Sequence, residues 1–348
     1  MKFFSTISII AIILLSISCS DDNFDSSEPK PNIDKAEAQY IVQYTEQQLE
    51  NWKNTGSPFL DDELDNASNT LIDPTLLAQG GVFKPIETIQ TKAWGVNPQQ
   101  NRFWAIIRLK LAIPNQHWKL KAIVIDAISR MEDNTNVRFF NAINDPDTDP
   151  TWGFKYPNVH IHVAKDRKTG SSYVGRKGDE QYIYIPENAT VEFVMRALCN
   201  VAGMYNEQQR SDRDTFVNIT TTNVVPENRY HFDKITKKYY GMGGFDMKSI
   251  TLAGTYQYSS ATNLKSIVKK NGAIIVPADE LSSHDKQFLN SFYLPYTARS
   301  DVYRELDKRV YKLDMTLMTE SERLQLQASL NNGNPNPPSG GRLTPVDW

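Results

Sequence analysis

The sequence predicts an α+β fold, on three observations. Short apolar runs of strand length recur through the middle of the chain, two longer stretches carry apolar residues at three- and four-residue spacing, and two strands follow one another with no helix between them. The composition supports a packed core: 348 residues, 40% hydrophobic and 23% charged, exclude a disordered chain, a collagen-like repeat and a polytopic membrane protein.

The elements follow in order. Ala36 to Trp52 places Ala, Tyr, Ile, Val and Leu at helical spacing, and 54 to 100, dense in Asn, Asp, Gly and Pro with only short apolar pieces, predicts loops and brief elements laid over a larger domain. Phe103 to Leu109 predicts a strand, Ala122 to Met131 the centre of a helix, and Val137 to Asn141 and Val159 to Val163 two further strands. Tyr182 to Ile185 is another. From Val191 to Tyr205, Val191, Val194, Leu198, Val201 and Ala202 line one face of a helix that Gly203 stops. Ser300 to Asn331 predicts a charged helical stretch, and Pro335 to Trp348 a disordered tail with Trp348 docked. No internal repeat is present.

Charge and cysteine content narrow the function. With 38 basic and 41 acidic residues the formal charge is −3, which offers no basic field for nucleic acid. The two cysteines, Cys19 and Cys199, are too few for a disulfide framework or a cysteine metal site. Cys199 sits within the apolar helix pattern and reads as a small core residue.

The N-terminus has the layout of an export signal, Met-Lys followed by an apolar stretch from Phe3 to Ile17. Leu15-Ser16-Ile17-Ser18-Cys19 resembles a lipobox, which implies acylation of Cys19. The Ser20-Asp21-Asp22 run behind it resembles the acidic surface-export signal of Bacteroidota lipoproteins. Residues 1–18 are then a lipoprotein signal peptide, 19–34 a lipidated flexible tether, and 35–100 an N-terminal helix and loop extension. Localisation at the outer membrane, lipid-anchored and exposed on the cell surface, is the expectation.

The chemistry-bearing segment is Arg196-Ala197-Leu198-Cys199-Asn200-Val201-Ala202-Gly203-Met204-Tyr205-Asn206-Glu207-Gln208-Gln209-Arg210-Ser211-Asp212-Arg213-Asp214. It resembles the active-site segment of the astacin family of zinc endopeptidases, HExxHxxGxxHExxRxDRD, at Gly203, Glu207, Arg210, Asp212, Arg213 and Asp214. Ser172 to Arg176 with Gly178 and Gln181, and Val137-Arg138-Phe139, follow in family order. The resemblance covers 101–295 and implies a metzincin fold of the zincin type, with a mixed sheet in the upper half, an active-site helix and an irregular lower half. Residues 296–348 would add a C-terminal helix and disordered tail.

The family's chemistry uses three imidazoles on zinc and a Glu as general base. The ligand positions hold Arg196, Asn200 and Asn206, and the base position holds Ala197. A guanidinium has no lone pair to give and Ala moves no proton. The family's Ser-Ile-Met-His-Tyr turn reads Ser249-Ile250-Thr251-Leu252-Ala253, so Ala253 stands where its tyrosine would be. The resemblance therefore implies a degenerate pseudopeptidase: not an enzyme, with no metal and no cofactor at the family site, acting as a protein-binding or scaffolding module.

Its expected partner is an outer-membrane protein or complex, or an extended peptide in the former cleft held by Arg196, Asn200, Asn206 and Glu207. Arg196, a buried cation, is expected to pair with Glu192 or Glu207, and Glu207 to find a cation or stay hydrated. The alternative is an active metallopeptidase or other hydrolase with a relocated metal at His160 and His162, which alternate on one strand and share a face, though no third ligand is evident. The acidic loop Asp145-Pro146-Asp147-Thr148-Asp149-Pro150 lacks the Gly and Glu of a calcium loop and reads as solvated. His117, His231 and His284 stand isolated and carry no assigned chemistry.

Overall fold

The computed structural model describes residues 93–96, 103–148, 153, 155–165, 168–171, 173–178, 180–236, 239–242, 244–299, 304–312, 314–336 and 348. Cys19, the tether and the expected helix over Ala36 to Trp52 lie outside the described residues.

A five-stranded sheet forms the upper half. Its strands are β2 (Ile107–Ala112), β3 (Phe139–Asn141), β4 (Val159–Val163), β5 (Gly170–Ser171) and β6 (Gln181–Ile185), in the order β3-β2-β4-β6-β5. All neighbours run parallel except β5, which returns antiparallel to β6. Ile107, Leu109, Leu111, Val159, Ile161, Ile183 and Ile185 alternate onto one face and are buried there. Two helices cover that face, α1 (Trp118–Asn134) with Leu120, Val124, Ala127, Ile128 and Met131, and α2 (Val191–Val201) with Val194, Leu198 and Cys199. The opposite face carries Arg108, Lys110, His160, His162, Tyr182 and Tyr184, all half-buried.

The sequence reading placed the first sheet strand over Phe103 to Leu109. The observed strand begins at Ile107, because Trp104 turns inward and donates its indole N–H to the carbonyl of Val201, 2.9 Å away.

A four-residue strand, β1 (Ala93–Val96), lies inside the segment expected to be a loop extension. It pairs antiparallel with β8 (Tyr239–Met242) and reaches the end of α2, where Val96 N–H donates to Gly203 O at 2.8 Å. Two glycines permit this. Gly203 has φ +101, and a Cβ on Gly95 would collide with Gly203 O and Phe288 Cζ.

The lower half is built on turns, a two-stranded pair of β7 (Val217–Ile219) and β9 (Ile267–Lys269), and a second core of Val217, Val224, Phe232, Phe245, Leu252, Ala253, Tyr258, Ile267 and Ile275. Helix α3 (Ser283–Phe292) returns to the upper half with Phe288, Leu289 and Phe292.

Beyond it, the helix expected from Ser300 is shorter. Strands β10 (Tyr296–Arg299) and β11 (Arg304–Leu306) come first, and α4 (Glu320–Leu330) starts at a capping box formed by Thr319 and Glu322. Leu294, Tyr296, Leu306, Val310, Leu326 and Leu330 make a third core. Trp348 packs against the first one.

Candidate functional site

Helix α2 carries the diagnostic segment through the centre of the molecule. Thr190 caps it by accepting from Phe193 N–H at 3.4 Å, and every residue from Val194 to Val201 is buried. Polar side chains on such a helix must find partners inside the protein.

Arg196, 3% exposed, meets that requirement with carbonyls. Its Nε donates to Ile250 O at 2.8 Å, Nη2 to Leu252 O and Nη1 to Gln257 Oε1, while the Tyr258 hydroxyl supplies a further contact. Burial pulls the guanidinium pKa below its usual value, and the Tyr258 hydroxyl opposes that shift. Neither Glu192 nor Glu207 reaches it. The expected carboxylate partner is thus corrected to the turn of Ser249-Ile250-Thr251-Leu252-Ala253. The carboxylate whose charge acts on Arg196 is Asp285, which accepts from Ile250 N–H at 2.8 Å and Ser249 Oγ at 2.7 Å. Ile250 therefore stands between anion and cation, its N–H facing Asp285 and its carbonyl facing Arg196. Burial raises the Asp285 carboxyl to about 6 against these hydrogen bonds.

One turn later, Asn200 donates through Nδ2 to Met204 O at 2.9 Å and to Asn206 Oδ1 at 3.2 Å. Asn206 donates to Gln209 Oε1 at 3.1 Å and lies 3.3 Å from His231 Nδ1. The His231 Nε2 is 2.8 Å from Thr169 O, and its ring stacks on Tyr258 at 4.2 Å. Only one tautomer satisfies both neighbours: Nε2–H donates to Thr169 and Nδ1 accepts from Asn206. Burial lowers the imidazole pKa to about 3, so it stays neutral.

His231 is the site residue that the sequence reading missed. It lies in a 3₁₀ segment, Pro226–Phe232, 25 residues from Asn206, with no local pattern to mark it.

The remaining positions fall into place around this network. Ala197 is buried in the first core and Ala253 in the second. Glu207, 1% exposed, accepts from Asp246 N–H at 2.8 Å through Oε1, while Oε2 has no hydrogen-bond partner among the described residues. Burial pushes its carboxyl well up, with Arg210 opposing. Arg210 is thus the cation whose charge acts on Glu207, while its fork is hydrogen-bonded to Asp212 at 2.9 and 3.0 Å. The four residues expected to hold a ligand, Arg196, Asn200, Asn206 and Glu207, are all at most 3% exposed, so none faces solvent in this structure. Packing of the 249–258 turn and the 226–232 segment over α2 encloses them.

Zinc does not fit this donor set. Arg196 is a cation, the two amides are committed to each other and to backbone, and the His231 lone pair accepts from Asn206. The His160 and His162 pair lies on the other face of the sheet, away from α2. In the described part of the acidic loop Pro146, Asp147 and Thr148 are exposed, and Asp145 pairs with Arg108 and Asp147 with Lys110, each at 2.6 Å.

Comparison with known proteins shows the lineage. The family model for Astacin, a peptidase family, matches residues 96–294. Zinc metalloproteinase nas-15 of Caenorhabditis elegans is 30% identical over 142 residues, 38% of this chain and 24% of that protein. Astacin-like metalloprotease toxin 1 of Loxosceles intermedia is 29% identical over 143 residues, 40% of this chain and 50% of that protein. The chain thus spans a quarter to a half of the length of these relatives. Among solved structures, High choriolytic enzyme 1 of Oryzias latipes aligns with a TM-score of 0.42 and 22% identity, over 55% of this chain and 94% of that one.

These matches overturn the expectation that the chain is not an enzyme. The matched family is a peptidase family and the curated relatives are metalloproteinases, so replaced positions in one segment do not remove the chain from that class. With the family model covering more than half of its length, the chain belongs to the astacin family of peptidases.

Proposed function

We propose that this astacin-like metallopeptidase domain docks a protein partner, as part of a surface lipoprotein held in the outer membrane through acylated Cys19. In this reading Arg196, Asn200 and Asn206 stand at the family's three ligand positions and Ala197 at its base position. The observation that carries the docking reading is the closed edge of β5. Tyr230 Oη donates to Thr169 O at 3.1 Å and to Ser171 O at 3.4 Å, and His231 occupies Thr169 O as well. A peptide adding to a sheet needs those carbonyls free. Contact through the outer surface is therefore favoured over capture of an extended peptide along that edge.

Among the described residues no helix is long and apolar enough to cross a membrane, so the anchoring part of the proposal rests on Cys19. Affinity purification from cross-linked membranes tests the whole reading. One stoichiometric membrane-protein partner, retained by the full chain, is the expected outcome. Recovery of no stable membrane-protein partner would overturn docking, whether or not the domain also cleaves peptides.

A further inference from the structure

The solvent-facing side of the upper sheet holds a cluster unconnected with α2. Asp147, His160 and Glu180 each offer one potential ligand atom, the three atoms lying within 4.8 Å of one another. They come from three separate places: the loop after β3, the second residue of β4, and the residue before β6. Sheet register brings them together, since β4 lies between β2 and β6 with Lys110, His160 and Tyr182 side by side.

His160 is the informative member. Its Nε2 is shielded from solvent and has no hydrogen-bond partner among the described residues, yet it lies 4.0 Å from Asp147 Oδ1. A buried polar atom without a partner is uncommon in a folded protein and calls for a ligand. The ring is fixed by its neighbours, 5.4 Å from Tyr182 and 6.1 Å from His162 between centroids. The sequence reading paired His160 with His162 and found no third ligand. The structure instead supplies two carboxylates beside His160.

We infer that Asp147, His160 and Glu180 form a divalent-metal site, and that the ion is zinc. One imidazole and two carboxylates suit a borderline cation better than calcium or magnesium, which prefer all-oxygen shells. The three donors lie at most 4.8 Å apart, with His160 Nε2 and Asp147 Oδ1 at 4.0 Å, so an ion among them stands no more than about 2.8 Å from each and the site contracts by at most roughly 0.7 Å to reach zinc's ~2.1 Å bonds. Rotation of Asp147 and Glu180, which lie outside the strands, provides that movement while His160 stays in place. Water completes the shell on the open side.

Two lysines oppose the ion. Lys110 Nζ is 2.6 Å from Asp147 Oδ1, which also accepts from Asn158 Nδ2 at 3.0 Å, and Lys155 Nζ is 3.6 Å from Glu180 Oε2. The Tyr182 hydroxyl also lies 3.5 Å from Glu180 Oε2. Binding must share Asp147 with Lys110, which makes Lys110 a tuning residue for affinity.

Equilibrium dialysis of the purified full chain against zinc, with elemental analysis and a melting curve at each concentration, tests the site. One zinc per chain and a rise in Tm are expected. His160→Gln and Glu180→Gln should each weaken binding by more than the ~10–100-fold that losing an outer-shell partner costs. Lys110→Met should tighten it, and His162→Gln should leave it in place. The site is refuted if the parent chain takes up no zinc, or if both His160→Gln and Glu180→Gln bind it like the parent. Zinc kept by His160→Gln but lost by His231→Phe would put the metal in the lower half and refute it equally.

Discussion

Arg196 is an arginine held by oxygens that carry no formal charge, and its replacement shows what such a residue contributes. Arg196→Met keeps the stem but leaves the carbonyls of Ile250 and Leu252 without their donor. Stranded buried acceptors cost about 1–3 kcal/mol each, so urea unfolding should show a loss of that order with the fold retained. His231 makes a prediction in pH. Its folded pKa, about 3, lies below the unfolded value near 6.5, so between those values only the unfolded chain takes up the proton. The imidazole thus removes stability as pH falls from about 6.5 to 3. Asp285 acts in the opposite sense: raised to about 6, it binds a proton in the folded state first, and stability is lost as pH rises from about 4 to 6. The two slopes oppose each other over that shared range. In His231→Phe, which preserves the stack on Tyr258, the opposing slope is removed and that of the raised buried carboxyls, Asp285 and Glu207, should emerge, so denaturation midpoints should rise as pH falls from 6 to 4. A variant as flat as the parent would show that His231 does not stay neutral in the fold.

At the scale of elements, the most consequential contact is between β1 and the end of α2. Gly95→Ala drives a Cβ into Gly203 O and Phe288, and overpacking of this kind costs typically ~1–3 kcal/mol. The denaturant midpoint should fall with an unchanged slope. The Gly203 stop was legible in the sequence, as were α1, α2, β4 and β6, because each carries its own periodicity and a terminator. β1 was not: four residues give no period, and its partner β8 lies some 140 residues later. The charged stretch after Ser300 misled for a related reason, since polar residues at helical spacing do not reveal β10 and β11, whereas the Thr319 and Glu322 capping box does mark the true start of α4. In the candidate site, the positions of Arg196, Ala197, Asn200 and Asn206 were legible from one contiguous segment. Their partners were not, because Ile250, Gln257, Tyr258 and His231 reach α2 only through the tertiary fold.

For the whole molecule, four apolar clusters are formed among the described residues, and Trp348 packs against the first of them. Trp348→Ala should therefore lower the melting temperature of the main transition, as a tail with no contact would not. Attachment to the membrane is expected to fail in Cys19→Ala, with the protein moving from the membrane pellet to the soluble fraction. Retention in the pellet would argue for a protein partner as the anchor. The closed edge of β5 also bears on how copies of this chain behave together. An open strand edge templates growth of a sheet from one molecule into the next, and crowding makes that encounter frequent. With Tyr230 and His231 on the carbonyls of Thr169 and Ser171, this edge offers an incoming strand fewer free acceptors. A Tyr230→Phe, His231→Phe double variant exposes them, and light scattering at rising concentration should then detect self-association from which the parent chain is protected.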